Sequence, residues 1–192
     1  YCDNYIDAMD RAAEHFSSTG PKEATIRERA IATFRQHNIS LKFAPVDAVR
    51  HFDPETRVLT ISQHTAPATQ SFQILVQLAL IAQEKLLEAT LDLARFQTVE
   101  ARAIAKIGLA NYYAGAALMP YGPFLDAARE TRHDLERLAM LFGASIEQVA
   151  HRLSTLQRPG AKGVPFFFVR VDQAGSITKR HSATRLQFAR FG

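Results

Sequence analysis

At 192 residues with 47% hydrophobic side chains, the chain is long enough for one well-filled domain, or one domain and part of another. Its net charge of +4 singles out neither nucleic acid nor an anionic ligand, and its apolar runs are too short and interrupted to span a bilayer. One cysteine, Cys2, excludes an internal disulfide or a cysteine-built metal site and suits a reducing cytoplasm, and a start at Tyr1 with neither Met nor leader reads as an internal piece of a longer protein.

Ile6, Met9, Ala13 and Phe16 recur at helical spacing, and Gly20-Pro21 closes that helix. A second helix is predicted over 23–36. ISLKFAPV alternates as a strand, and AVRHF and RVLTIS flank an Asp53-Pro54-Glu55-Thr56 turn, so 48–62 reads as a hairpin. Helices are predicted over 71–87 and 90–117, then over 123–130 and 132–142, and from Ser145 to about 156. Arg158-Pro159-Gly160 marks a boundary, 164–171 reads as a strand, 172–175 as a turn and 176–180 as the return strand. The stretch LAMLFGASIEQVAHRLSTL has the form of a helix-turn-helix with Ser145 as N-cap. A DNA reading puts Gln148, His151 and Arg152 on a recognition helix. A packing reading makes Val149, Leu153 and Leu156 a buried face, and the shortage of basic residues favours it. The seven histidines show no metal-ligand spacing.

Residues 72–80, FQILVQLAL, stand on an apolar helix after a strand hairpin, and NYYAGAALMP follows on the next long helix. Zinc peptidases of the zincin class carry H-E-x-x-H at such a place, two imidazoles facing one metal and a Glu acting as general base. Here Val76, Gln77, Leu78, Ala79 and Leu80 hold those positions. The chain resembles the ImmA/IrrE family of zincin-like domains. Phe72 matches the Phe of F-x-x-x-H-E-x-x-H, and Asn111, Tyr113, Ala114, Leu118, Met119 and Pro120 match N-R-F-A-A-E-L-L-M-P. The zone of the acidic third ligand holds Lys106, Ile107, Gly108 and Leu109, so no zinc ligand remains.

A closer resemblance runs along nearly the whole chain. FQILVQLALIAQE, LANYYAGAALMPYGPFL, FGASIEQVAHRLSTLQRPGAKGVPFFFVRVD and ITKRHSATRLQFARFG are similar to the short-chain fatty acyl-CoA transcriptional regulators of the PrpR/RamB type. The resemblance implies an α+β, helix-rich, degenerate zincin-like domain with a small antiparallel sheet over 1–157. Residues 158–192 would then begin a C-terminal β-hairpin region. It implies a sensor of short-chain acyl-CoA, propionyl-CoA or acetyl-CoA, in a cytoplasmic, homodimeric regulator with no membrane partner and no enzymatic activity. Promoter DNA would be bound through an N-terminal helix-turn-helix domain not present here. Members also bind an iron–sulfur cluster. A cluster needs several thiolates, so it would belong only to the full-length protein.

The candidate ligand site follows from that frame. The acyl group is expected beside Phe72, Val76 and Leu80. Of the adjacent Tyr112 and Tyr113, about 100° apart on a helix, one can face the cleft and stack an adenine, while the other packs in the core; both serve equally as core residues. Gln77 binds a thioester carbonyl or makes a local structural hydrogen bond. The coenzyme A phosphates would need cations, for which Lys162, Arg170, Lys179 and Arg180 are candidates; a solvated charged face is the plainer reading of each. Gly160 and Gly163 flank Lys162 and would let backbone approach a phosphate. The alternative function is a structural dimerisation or DNA-docking module with no small ligand.

Overall fold

The structure, a computed structural model, describes residues 4–182, with side chains as far as Ser176. Cys2 lies outside the described residues. Residues 8–120 form one compact unit; residues from 121 on, together with the stretch ending at Asp7, form another.

The first unit holds α1 (Asp7–Ser18), α2 (Ile26–Gln36), β1 (Ser40–Ala44), β2 (Arg50–Asp53), β3 (Val58–Ser62), α3 (Pro67–Ala82), α4 (Glu84–Asp92) and α5 (Val99–Leu118). Helix α2 starts where the sequence supplies a capping box: the Thr25 hydroxyl accepts from Glu28 N–H and the Glu28 carboxylate accepts from Thr25 N–H. The expected start at residue 23 moves to 26 for that reason. The β2–β3 hairpin forms as read. Its turn is tied by the Asp53 carboxylate, which accepts from the backbone N–H groups of Glu55 and Thr56 and from the Thr56 hydroxyl.

The sheet corrects one expectation. It is mixed, not antiparallel, in the order β1-β3-β2. Strand β1 runs parallel to β3, with Leu41 opposite Leu59 and Phe43 opposite Ile61, whereas β2 runs antiparallel to β3. The reason is the connection after β1, which carries the chain past the place β3 will take and lays β2 at the far edge. The Ser62 hydroxyl donates to Val46 C=O at 2.6 Å and Ser62 N–H to Val49 C=O at 3.1 Å, pinning that connection to the end of β3.

Helix α3 is the centre of this unit. Residues 74–79 are all buried, which requires cover on every side. It packs against β3, α2 and, most extensively, α5. The helix predicted over 71–87 is divided: α3 ends at Ala82, and α4 begins after Gln83. The helix predicted from 90 starts at Val99, where the Thr98 hydroxyl accepts from Ala101 N–H. Helices α4 and α5 are clamped by Lys106 to Glu88 at 2.7 Å and by Arg102 to Glu88 and Asp92.

The second unit holds α6 (Tyr121–Glu130), α7 (Leu135–Phe142), α8 (Ile146–Ser154) and the hairpin β4 (Phe167–Val171) and β5 (Ile177–Ser182). Gly143, at φ 59°, ends α7 in the left-handed conformation, and Ser145 with Gln148 forms a capping box that starts α8. No helix among the described residues is long and apolar enough to cross a membrane.

Candidate functional site

Phe72, Val76 and Leu80 lie four residues apart along α3 and so share one stripe. Val76 is buried, with 1% of its surface exposed; Phe72 and Leu80 are half-buried. Gln77, one position off the stripe, is 6% exposed. A carboxamide that deep is costly without partners, and it stands at the place of the motif's general base.

Helix α5 brings its two tyrosines to different tasks. The Tyr112 hydroxyl donates to the Asp10 carboxylate on α1, whose side chain is wholly buried. Tyr113 is itself wholly buried, its ring 6.4 Å from that of Phe16. Its hydroxyl has no hydrogen bond of good geometry among the described residues. Burial pushes the Tyr113 phenol well above its ordinary value, and the neighbouring Gln83 side chain eases this only in part. Gln83 follows Leu80 by three positions, so the Tyr113 hydroxyl sits near the end of the Phe72–Val76–Leu80 stripe. Val76, Gln77 and Leu80 thus stand on α3 and Tyr113 on α5, the helix against which α3 packs most extensively. Helix α5 turns Tyr112 toward α1.

Sequence reasoning did not single out Asp10 or Gln83. Asp10 was readable only as a polar interruption on the apolar face of the first helix. Gln83 lies where the two predicted helical runs merge, and nothing local marks it.

Lys106, in the zone where the motif carries its acidic third ligand, turns to Glu88 on α4. Among the described residues no group of three His, Cys, Asp or Glu side chains comes together in a way that holds a metal.

The C-terminal cations belong to the other unit. Lys162 is exposed. Arg170, on β4, is also exposed and donates to Glu147 at 3.4 Å. Lys179 and Arg180 are on β5, opposite Arg170 and Val169, and their side chains lie outside the described ones. Gly160 has φ 79° and needs to be glycine for that reason. Gly163 has a packing reason instead: a Cβ there would stand 2.9 Å from Leu156 Cβ and 3.4 Å from Leu125 Cδ1. Gly163→Ala is therefore expected to cost about 1–3 kcal/mol in chemical denaturation. Unchanged stability would mean that Leu156 yields and the glycine is held for a ligand.

The helix-turn-helix form resolves in favour of packing. The Gln148 side chain is used in the cap of α8. Arg152 is 3% exposed and donates to the Thr155 hydroxyl, and the half-buried His151 stacks edge-on against Phe168 at 4.5 Å. Val149, Leu153 and Leu156 are buried as expected. None of the three reading residues is presented as a DNA-reading side chain must be.

Residues 35–154 match the IrrE N-terminal-like domain, and residues 155–192 match the C-terminal region of the short-chain fatty acyl coenzyme A regulators. The chain is 67% identical over 192 residues to the propionyl-CoA carboxylase regulator of Cereibacter sphaeroides, covering 100% of this chain and 41% of that protein. It is 42% identical to the HTH-type transcriptional regulator PrpR of Mycobacterium tuberculosis, covering 98% of this chain and 40% of the relative. For RamB of the same organism the identity is 41%, with 98% and 41% covered. A solved Mycobacterium tuberculosis transcriptional regulator superposes with a TM-score of 0.90 at 42% identity, covering 98% of this chain and 58% of that one. The chain therefore spans 40–41% of the length of these curated relatives.

Proposed function

The chain belongs to the IrrE N-terminal-like domain family and runs on into the short-chain fatty acyl-CoA regulator type, and on that footing we propose that it is the ligand-sensing region of a transcriptional regulator of short-chain fatty acid metabolism. Its effector is a short-chain acyl-CoA, propionyl-CoA or acetyl-CoA. It is a metallopeptidase-like scaffold that has exchanged metal chemistry for an acyl slot.

One observation carries this reading. The two places where the motif has imidazoles present Val76 and Leu80, which have no lone pair for a metal, and the place of the general base holds Gln77, which takes no proton from water. The helix is otherwise kept at the centre of the unit, packed on α5. A site that loses its ligands yet keeps its frame offers a small apolar slot, suited to two to four carbons. In this reading the acyl group lies by Phe72, Val76 and Leu80, the Gln77 amide N–H donates to the thioester carbonyl, and Tyr113 closes the end. Tyr112, held by Asp10, supports α5 from the α1 side. The intact regulator is a cytoplasmic homodimer reading a two-fold promoter site through a domain outside this chain. Cys2 alone does not fit an iron–sulfur cluster, which would belong only to the full-length protein.

The test is thermal unfolding with acetyl-, propionyl- and butyryl-CoA and with free coenzyme A. A ligand at a hundred times its Kd stabilises by about 2.7 kcal/mol, a shift of several degrees. Propionyl- or acetyl-CoA is expected to give it, with no stoichiometric zinc in the same preparation. No shift with any thioester at millimolar concentration would leave the structural docking module as the better reading. One tightly held zinc per chain would restore the peptidase.

A further inference from the structure

The first unit contains a cation that no part of the preceding reading uses. Arg50 is the first residue of β2, one of the two edge strands of the sheet. In the antiparallel register it stands directly opposite Ile61, and Phe52 stands opposite Leu59. Directly opposed residues project from the same face of a sheet. Ile61 and Leu59 are both 0% exposed, so Arg50 leaves the sheet on its covered face, the one on which helices pack. His51 and Asp53 alternate to the other side.

The burial of the guanidinium follows. Arg50 is half-buried as a residue, but its Nη1 is out of contact with solvent and has no hydrogen-bond partner among the described residues. Desolvation alone lowers its affinity for the proton, and no carboxylate offsets this. A guanidinium carries five donors in a rigid fork, and a buried one is normally satisfied by a carboxylate or by a phosphate. Buried charges that keep no partner are costly, so a protein retains one where a ligand supplies the counter-charge. Arg27 stands over the Phe43 ring at 4.5 Å, Arg57 donates to His37 C=O, and Arg29, whose Nη1 is also buried and unpaired, donates through Nε and Nη2 to Ala24 C=O and Pro21 C=O; Arg50 shows no such anchoring among the described residues. The outer edge of β2 pairs with no strand among the described residues, which leaves a way in.

We propose that Arg50 is an anion-binding residue, and that it takes a phosphate group of a phosphate-bearing ligand approaching the covered face of the sheet along the β2 edge. The identity of that ligand as a coenzyme A thioester rests on the function proposed above; the anion site itself does not. The fork fits two oxygens of one phosphate, the geometry guanidinium groups favour. The sequence gives no sign of this, because Arg50 sits beside His51 in a strand that reads as half-exposed.

Arg50→Gln separates the roles. It keeps much of the length and removes a half-buried charge whose Nη1 is unpaired among the described residues, so the ligand-free variant should melt at the wild-type temperature or above it. A variant that melts well below, or fails to fold, would assign Arg50 to the architecture and overturn the proposal. Calorimetry then uses three probes: inorganic pyrophosphate, propionyl-CoA and propionyl-pantetheine, which lacks the phosphates. Arg50→Gln is expected to abolish pyrophosphate binding and to weaken propionyl-CoA by on the order of tenfold to a hundredfold, while propionyl-pantetheine is unaffected. Unchanged propionyl-CoA and pyrophosphate affinity would overturn the proposal and leave the acyl-CoA reading standing. Equal loss for both propionyl compounds would overturn it too, by placing Arg50 at the acyl end. Wild-type protein that binds pyrophosphate through Arg50 but ignores propionyl-CoA would keep the anion site and sink the acyl-CoA reading.

Discussion

Truncating Tyr113 to alanine is expected to lower stability by about 3–5 kcal/mol, whereas Tyr113→Phe is expected to leave it unchanged or raise it by up to about 1 kcal/mol. The ring is wholly buried on α5, with Phe16 of α1 among its neighbours, and a void there has little freedom to collapse. The hydroxyl is a different matter. It is buried with no well-formed hydrogen bond, so its removal deletes a desolvation cost and little else. The same group makes the fold sensitive to alkali. Burial raises its folded-state pKa above the ordinary value of 10.0. The stability it supports is complete below about pH 10 and is lost as pH rises, because the unfolded chain then releases a proton that the folded chain retains. Tyr113→Phe should flatten that decline. Guanidinium unfolding at pH 7 and at pH 10–11 reads both effects, and a phenylalanine variant destabilised like the alanine one would show that the hydroxyl has a structural partner. If that variant is stable but binds propionyl-CoA more weakly, the hydroxyl touches the ligand.

How much of this was legible without coordinates depends on whether the signal is local. The Ser145–Gln148 and Thr25–Glu28 pairs announce helix starts, because a side chain three residues on reaches back to its own cap. The hairpin over 48–62 is equally local, and so is the apolar run that becomes α3. Three features are not. Whether β1 pairs parallel or antiparallel is fixed by where the connection to β2 crosses, which no periodicity encodes. The break at Gln83 involves neither Gly nor Pro and arises where α4 must turn to set Glu88 against Lys106 and Arg102 on α5. The isolation of Arg50 exists only because Ile61 and Leu59 put its face under helices. The candidate site divides the same way. Positions 72–80 were readable because a motif spacing survives its own substitution, and the division of labour between Tyr112 and Tyr113 was not, since it depends on Asp10 arriving from α1.

Leu80→Trp is expected to weaken propionyl-CoA by more than tenfold while leaving the ligand-free melting temperature within a few degrees. From sequence, Val76 is the natural place for that probe. The structure argues against it: Val76 is 1% exposed, and an indole there would overpack the centre of the unit, confounding lost binding with lost fold. Leu80 is half-buried, so a larger ring there need not lie wholly in the core and changes the shape of the slot at less cost. The opposite change is the sharper test. Leu80→Ala enlarges the slot and should move preference from propionyl- toward butyryl-CoA. A buried methylene is worth about 0.8 kcal/mol, roughly fourfold in affinity, and a wall that clashes can discriminate further. Calorimetry with the three acyl-CoA compounds on wild type, Leu80→Trp and Leu80→Ala gives nine affinities. If chain-length preference is identical in all three proteins, the acyl group does not lie on the α3 stripe, whatever else the domain binds. If the tryptophan variant loses the thioesters and the alanine variant prefers the longer one, the slot left by the absent imidazoles is where the acyl chain goes.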